Sequence, residues 1–436
     1  MSPETYQCPG ENYTISRSVH LGRLARFYPN CRECPHRHDT GGLARRVVRA
    51  LEALPARKTL RFDDFGVRGV YLNEIDRATA REVAGCFGLL LRQRALDVPS
   101  APAPSAQAEM APHPTGIASG KRMTKVVVAR DEHPCTPDLA VGAIDGLRYA
   151  GCEVIDLGVA SSPCLVFCIQ HLEADGGVML CGDAADSSVI GLRLWRQGGG
   201  PLDGDTELRA VQAMVSSGIQ RPTRSASPYS SFHGSVPYLA CLLKHFHALR
   251  PLKVAALCTS GIMEQYVSRL FSDLVCTRIH PETPCEAGEV DGDRVAEVVT
   301  ESRAHVGVLF NGDGERATFF DEQGRIVGPE SILLLLVRGA LREHRTISVV
   351  LEEGASEVLD QAIVQLGARV VAAPARPAAM TRALGRSAAR LGGGPSGRIW
   401  IQNGGPAADA ILTLSGVLAA LSWTDSPMSS VIEPIG

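Results

Sequence analysis

Residues 125–181 read KVVVARDEHPCTPDLAVGAIDGLRYAGCEVIDLGVASSPCLVFCIQHLEADGGVMLC and alternate between two kinds of hydrophobic pattern. Short apolar runs are typical of strands buried on both faces, and the longer stretches between them have the three- and four-residue spacing of helices. The predicted strands are 125–129, 153–157 and 177–181, and the predicted helices are 136–150 and 163–172. Strand–helix–strand units of this length predict a mostly parallel sheet covered by helices, with the loops that follow the strands at one edge.

The same pattern begins again twice further along the chain. Strands are predicted at 253–257 and 305–310 around a helix at 263–274, and at 348–351 and 369–373 around a helix that ends at 366. A chain of 436 residues also favours about three domains. We therefore predict α/β/α domains at 57–222, 230–328 and 329–425, with an Ala/Pro/Ser-rich linker at 95–122 and a tail at 426–436.

The composition excludes several classes of function. The chain has 44 Lys and Arg against 47 Asp and Glu, so its net charge of −3 gives no support to binding of nucleic acid or of a membrane surface. Apolar runs such as 332–337 are too short to cross a bilayer. Thirteen cysteines without a signal-peptide pattern do not indicate a disulfide framework. We expect a cytoplasmic protein.

The order and spacing of these segments resemble the α-D-phosphohexomutase family, which includes the phosphomannomutases and phosphoglucomutases. The resemblance covers about residues 60–425 and begins at 65–69, FGVRG, which is similar to the N-terminal turn of the family. It continues through the alternating segment at 125–181 almost without a gap. The resemblance implies α/β/α domains with mixed sheets and a hexose phosphate as the substrate.

The phosphoserine loop of the family has a counterpart at 181–186. The family sequence is T-A-S-H-N-P, and this chain has CGDAAD, with Asp183 at the position of the serine. A carboxylate cannot form the stable phosphoester that serine forms, although aspartyl phosphates do occur as catalytic intermediates. The His–Asn pair that follows the serine in the family is also replaced, by Ala184 and Ala185. We therefore predict impaired catalysis, with Asp183 as the candidate nucleophile.

The Mg²⁺ loop of the family, D-G-D-G-D-R, corresponds to NGDGER at 311–316. The resemblance implies Asn311, Asp313 and Glu315 as metal ligands, and Asp183 could add a carboxylate to them. Asn311 has lost a charge and Glu315 has gained a methylene, and Mg²⁺ demands near-ideal octahedral geometry at short distances. We therefore expect a weakened Mg²⁺ site or a turn that binds no metal.

The sugar-binding loop of the family, G-G-E-x-S-G-H, corresponds to GGGPSGR at 392–398. Its glutamate is replaced by Gly394 and its histidine by an arginine, a residue type that can contact a phosphate. No counterpart is expected of the fourth domain, which clamps the substrate phosphate in the family. The substrate-binding residues implied by the resemblance are Arg68, Arg193, Arg316, Ser396 and Arg398.

Residues 1–50 lie outside the resemblance and are predicted to form a small Cys/His-rich module. Two thiolates at Cys-x-x-Cys spacing can reach one tetrahedral metal ion, and a closed Cys₃His set would make a structural Zn²⁺ site. The predicted ligands are Cys8, Cys31, Cys34 and His20, with His36 and His38 as alternatives to His20. The alternative is a segment whose cysteines are reduced and hold no metal.

These features together predict a phosphohexomutase-like pseudoenzyme with a sugar-phosphate-binding, regulatory or scaffold role, which could involve a protein partner. One alternative is an active intramolecular phosphotransferase in carbohydrate metabolism that uses Asp183. A second alternative is an adaptor that works through the zinc module, with the α/β domains as its scaffold.

Overall fold

The computed structural model describes residues 5–8, 11–28, 31, 34–53, 60–64, 66–97, 122–183, 188–218, 226–272, 277–282, 292–402, 405–432 and 435. The predictions made for Phe65, for 98–121 of the linker and for 184–187 lie outside these residues. Within the described residues the α/β class with mixed sheets is confirmed.

The N-terminal segment forms a hairpin and two helices. The hairpin pairs Tyr6 with Ile15, and both side chains are buried together with Cys8. Leu24, Cys31 and Leu51 form a second small core between the helices. The elements are β1 (Thr5–Gln7), β2 (Thr14–Ser16), α1 (Arg17–Ala25) and α2 (Arg45–Ala53).

The first α/β/α domain contains the strands β3 (Arg61–Asp63), β4 (Gly66–Val70), β5 (Lys125–Arg130), β6 (Glu153–Val159), β7 (Gly176–Gly182), β8 (Val189–Arg196) and β9 (Tyr229–Ser231). Its helices are α3 (Arg77–Asp97), α4 (Thr136–Tyr149), α5 (Ser162–His171) and α6 (Glu207–Ser217). The described strands are ordered β3-β4-β8-β7-β5-β6-β9. Strands β5, β6, β7 and β9 run parallel, and β8, β4 and β3 add antiparallel pairs. Because β9 pairs with β6, this sheet extends past the predicted boundary at 222.

The apolar run in β5 is explained by burial on both faces of the sheet. Val126 and Val128 pack with the residues of α3 and α4, while Val127 and Ala129 pack with those of α5. Helices α3 and α4 approach closely because α4 carries glycines at the contact. A Cβ at Gly142 would lie 2.1 Å from the carbonyl oxygen of Arg77, so any side chain there would force the helices apart.

A helix, α7 (Ser235–Leu243), connects the first domain to the second. The second contains β10 (Leu252–Cys258), α8 (Gly261–Ser272), β11 (Thr277–Glu282), α9 (Gly292–Ser302), β12 (Val306–Phe310), β13 (Ala317–Phe320) and β14 (Ile326–Val327). The third contains α10 (Pro329–Glu343), β15 (Ser348–Glu352), α11 (Glu357–Gln365), β16 (Arg369–Ala373), α12 (Pro377–Ser387), β17 (Leu391–Gly393), β18 (Trp400–Gln402), β19 (Pro406–Ala408), α13 (Ala410–Leu421) and α14 (Met428–Val431).

The second and third domains repeat one strand order. It is β11-β10-β12-β13-β14 in the second domain and β16-β15-β17-β18-β19 in the third. In each, three parallel strands are followed by an antiparallel partner of the last one, β13 after β12 and β18 after β17. The β6-β5-β7-β8 part of the first sheet has the same arrangement. Equivalent hairpin turns, β7–β8, β12–β13 and β17–β18, therefore lie at the carboxyl edge of each parallel set.

The apolar run at 332–337 lies in α10, where all six side chains are buried. They pack in a hydrophobic core that also includes residues of the other two domains. Among the described residues, no helix is both long and apolar enough to cross a membrane.

A buried carboxylate begins helix α13. One oxygen of Asp409 accepts hydrogen bonds from the backbone N–H groups of Ile411 and Leu412, at 2.9 and 3.0 Å, which stabilises the first turn. The other oxygen accepts the hydroxyl of Tyr238, at 2.8 Å, and so links the third domain to α7. Burial raises the pKa of Asp409 to about 6, although these hydrogen bonds oppose the shift.

We predict that Asp409→Asn changes how stability depends on pH. Because the pKa of Asp409 is higher in the folded than in the unfolded chain, the contribution of Asp409 to the stability of the wild-type protein should fall as pH rises from about 4 to about 6, by on the order of 3 kcal/mol. Asparagine retains the cap without titrating. Denaturant unfolding of both proteins across this range should show that the free energy of unfolding of the variant increases relative to that of the wild type as pH rises. A constant difference between the two proteins would contradict the prediction.

Candidate functional site

Two hairpin turns, one from the second domain and one from the third, meet beside the first domain. The β12–β13 turn of the second domain, Asn311–Arg316, contacts the β17–β18 turn of the third through a β-bridge between Arg316 and Arg398. It contacts the first domain where the N–H of Ser162 donates to the carbonyl of Asp313, at 3.2 Å. Gly314 has a φ of +74°, and a Cβ there would lie 3.0 Å from the Cβ of Ser161, so the turn requires glycine at this point.

Asp183 lies at the end of β7 and is engaged by an arginine. Its Oδ2 accepts a hydrogen bond from Nη1 of Arg68, at 2.9 Å, while Nη2 of the same guanidinium is 2.6 Å from Oδ2 of Asp63. The backbone around it is held by Asp131, whose Oδ2 accepts the N–H of Gly182 at 2.8 Å. The structure therefore brings the predicted nucleophile and a predicted substrate-binding arginine together as an ion pair.

Glu315 forms the most buried ion pairs of the site. Its Oε1 lies 2.7 Å from Nη1 of Arg193 on β8, and its Oε2 accepts from Nε of Arg398 at 2.8 Å. The side chain of Glu315 is 8% exposed, and those of Arg193 and Arg398 are 16% and 14% exposed. Burial alone would raise the pKa of Glu315, but the two guanidinium groups outweigh it and lower the pKa to about 2.

The other residues of the β12–β13 turn stabilise the turn itself. Oδ1 of Asp313 accepts the N–H of Glu315 at 2.9 Å, and its Oδ2 is 3.4 Å from Nη2 of Arg316 and 3.8 Å from Nη2 of Arg398. Burial, followed by repulsion from Glu315, raises the pKa of Asp313. The backbone of Asn311 closes the turn by bonding to Gly314 and Arg316.

Three of the predicted Mg²⁺ ligands, Asp183, Asp313 and Glu315, are paired with arginines. Among the described residues, no group of three or more His, Cys, Asp or Glu side chains is arranged to hold a metal ion. The guanidinium groups on Glu315 and on Asp183 occupy oxygens that a cation would need, so the residues as arranged do not fit Mg²⁺.

The β17–β18 turn is organised by Glu352, which the sequence analysis did not identify. This buried carboxylate accepts hydrogen bonds from the N–H of Ser396, at 2.9 Å, and from its hydroxyl. A Cβ at Gly394 would lie 2.8 Å from the Cβ of Glu352, so the glycine leaves room for this carboxylate. Glu352 ends strand β15, and a carboxylate at the carboxyl end of a parallel strand is the signal that could have indicated it.

A small cavity lies where the two turns approach the first domain. A cavity of about 30 Å³ is bordered by Arg193, Trp195, Glu315, Arg398 and Trp400. This volume holds about one or two water molecules. The guanidinium of Arg193 lies over the indole of Trp195, 4.9 Å from its centre, and so has aromatic as well as ionic contacts.

The three predicted cysteine ligands of the zinc site are near one another, and His20 contacts other groups. Cys8, Cys31 and Cys34 are all buried, and burial, reinforced by the nearby Cys8 thiol, raises the pKa of Cys31 to about 12. His20 instead stacks on Tyr6, and its Nε2 lies 3.1 Å from the carbonyl oxygen of Asp39.

The alternative ligand His36 packs edge-on against the ring of Tyr6. In the described part of this segment, no three His, Cys, Asp or Glu side chains are arranged to hold a metal ion. The zinc site stays a prediction of the sequence alone.

Comparison with known proteins gives a consistent result. Residues 115–220 match the family model for phosphoglucomutase/phosphomannomutase, alpha/beta/alpha domain I. A phosphoglucomutase/phosphomannomutase of Thermococcus kodakarensis is 23% identical over 389 residues, covering 86% of this chain and 80% of the relative. A phosphoglucosamine mutase of Lacticaseibacillus casei is 24% identical over 392 residues, covering 86% and 81%.

A solved structure from Burkholderia thailandensis, described as a phosphoglucomutase/phosphomannomutase family protein, has the same fold. It superimposes with a TM-score of 0.71 at 19% identity, covering 85% of this chain and 78% of the other.

We predict that the wild-type protein gives no saturable heat on calorimetric titration with Mg²⁺, Mn²⁺ or Ca²⁺, because arginines occupy the carboxylates of the site. The variant Asn311→Asp/Glu315→Asp restores three aspartates in the turn and shortens the side chain that reaches Arg193 and Arg398. It should bind Mg²⁺ and serve as the positive control. Saturable binding by the wild-type protein would contradict the prediction.

Proposed function

Because this chain belongs to the α-D-phosphohexomutase family, we propose that it is a catalytically impaired member with a regulatory or scaffold role. The observation that carries the proposal is the pairing of Glu315 with Arg193 and Arg398. A carboxylate buried between two guanidinium groups is an interdomain contact, and it is not available to a cation or to a substrate. A hexose phosphate would have to displace Glu315 from these two arginines.

The position of the nucleophile supports the same proposal. Asp183 bears a carboxylate where the family has serine, and Arg68 holds that carboxylate in an ion pair at 2.9 Å. Phosphoryl transfer depends on positioning and on electrostatic stabilisation of the transferred group. Here the arginines that would stabilise a phosphate are already neutralised by side chains of the protein.

An assay for phosphotransferase activity tests this proposal against the alternative of an active enzyme. In a coupled assay on glucose 1-phosphate, mannose 1-phosphate and glucosamine 1-phosphate, with Mg²⁺ and the corresponding bisphosphate, we expect no turnover above the rate of a blank. Turnover that disappears in Asp183→Ala would contradict the proposal and identify an active phosphotransferase that uses Asp183. Arg342→Ala, at a cation–π contact with Trp423 on the third domain, is a control that should leave any such turnover unchanged.

A further inference from the structure

The carboxylate of Glu315 is held by groups from two other domains. Arg193 comes from β8 of the first domain and Arg398 from the β17–β18 turn of the third. Each carboxylate oxygen receives one guanidinium, at 2.7 and 2.8 Å, so two buried cations bind one anion. Neither arginine lies in the same domain as Glu315, which distinguishes this contact from ordinary surface pairs such as Arg294–Glu297, three residues apart on α9.

The surroundings of the carboxylate are those of an oxyanion site. The hydroxyl oxygen of Ser162 lies 3.3 Å from Nη1 of Arg193, the nitrogen that also contacts the carboxylate of Glu315. The cavity of about 30 Å³ lies against Glu315 and would be enlarged if the side chain were shortened. Arginine presents its N–H donors in a planar fork that matches the oxygens of carboxylates and phosphates.

We propose that Arg193 and Arg398 form an oxyanion-binding site whose built-in occupant is the side chain of Glu315. The contact is autoinhibitory, because the protein's own carboxylate excludes an external carboxylate or phosphate while it joins the three domains. This inference rests on the proposed function, since it takes Glu315 to be an ion-pair partner and not a metal ligand.

An uncompensated buried charge destabilises the folded protein, and for this reason the two arginines require an anion between them. Removing one partner of a buried ion pair is strongly destabilising, because the remaining charge has lost both water and its counter-ion. Without Glu315, Arg193 would lose its carboxylate partner at 2.7 Å, and Arg398 would retain only the more distant Asp313, at 3.8 Å. A small anion that enters the vacated space binds the folded protein and not the unfolded chain, and it therefore raises the stability.

The test is rescue of Glu315→Ala by added anions. Melting temperatures are measured in NaCl, sodium acetate and sodium phosphate at equal ionic strength. Glu315→Ala should melt below the wild type in NaCl and recover by about 2–4 °C or more in millimolar acetate or phosphate, relative to the wild type in the same buffers. Acetate mimics the deleted carboxylate, and phosphate tests whether a tetrahedral anion also fits.

The control is Asp321→Ala, which removes another buried carboxylate. Asp321 pairs with Arg325 of its own domain at 2.7 Å, and that arginine is 61% exposed and thus hydrated. This variant should be destabilised without anion rescue. Glu315→Gln, which leaves no space for an anion, should also show no rescue.

Equal anion responses of Glu315→Ala, Asp321→Ala and the wild type would overturn the inference. If Glu315→Ala does not fold, Glu315→Ser opens similar space and keeps a hydroxyl that can accept from one guanidinium, and the same comparison applies to it. Mutase turnover by the wild-type protein would overturn the proposed function, whereas the anion response of the variant is decided by these melting temperatures alone.

Discussion

The arrangement of the three domains depends on the carboxylate of Glu315, which lies between Arg193 of the first domain and Arg398 of the third at 2.7 and 2.8 Å. A buried ion needs partners close enough to replace the water it has lost, and here the partners come from separate parts of the chain. The turn that carries Glu315 can therefore take this position only when all three domains are in place. Asp409 and Tyr238 add a second buried polar contact between the third domain and α7.

This constraint accounts for a site that keeps the placement of turns expected from the resemblance to the family. The β12–β13 and β17–β18 turns contact each other, and the strand order that places them is the same in both domains. What has changed is the balance of charge at their tips. Arg68 faces the carboxylate of Asp183, and Arg193 and Arg398 face that of Glu315, so groups suited to binding a phosphate instead bind side chains. The space beside these ion pairs is about 30 Å³.

Much of the fold could be predicted because burial leaves a local trace in the sequence. The run at 125–129 is apolar throughout since β5 is covered on both faces, and that pattern needs no knowledge of distant residues. The partners of Glu315 could not be predicted in this way, because no periodicity within one domain encodes how it packs on another. The resemblance implied Glu315 as a metal ligand and Arg193 and Arg398 as substrate-binding residues. It gave no indication that the three side chains contact each other.

The strength of the contact between Glu315 and Arg398 is the most direct measure of this account. A double-mutant cycle with Glu315→Gln and Arg398→Met gives their interaction energy from the free energies of unfolding of four proteins. We expect a coupling of about 1–3 kcal/mol, as found for groups that share a buried polar network. Effects that add to within about 0.5 kcal/mol would show that the pair does not hold the domains together and would contradict the account.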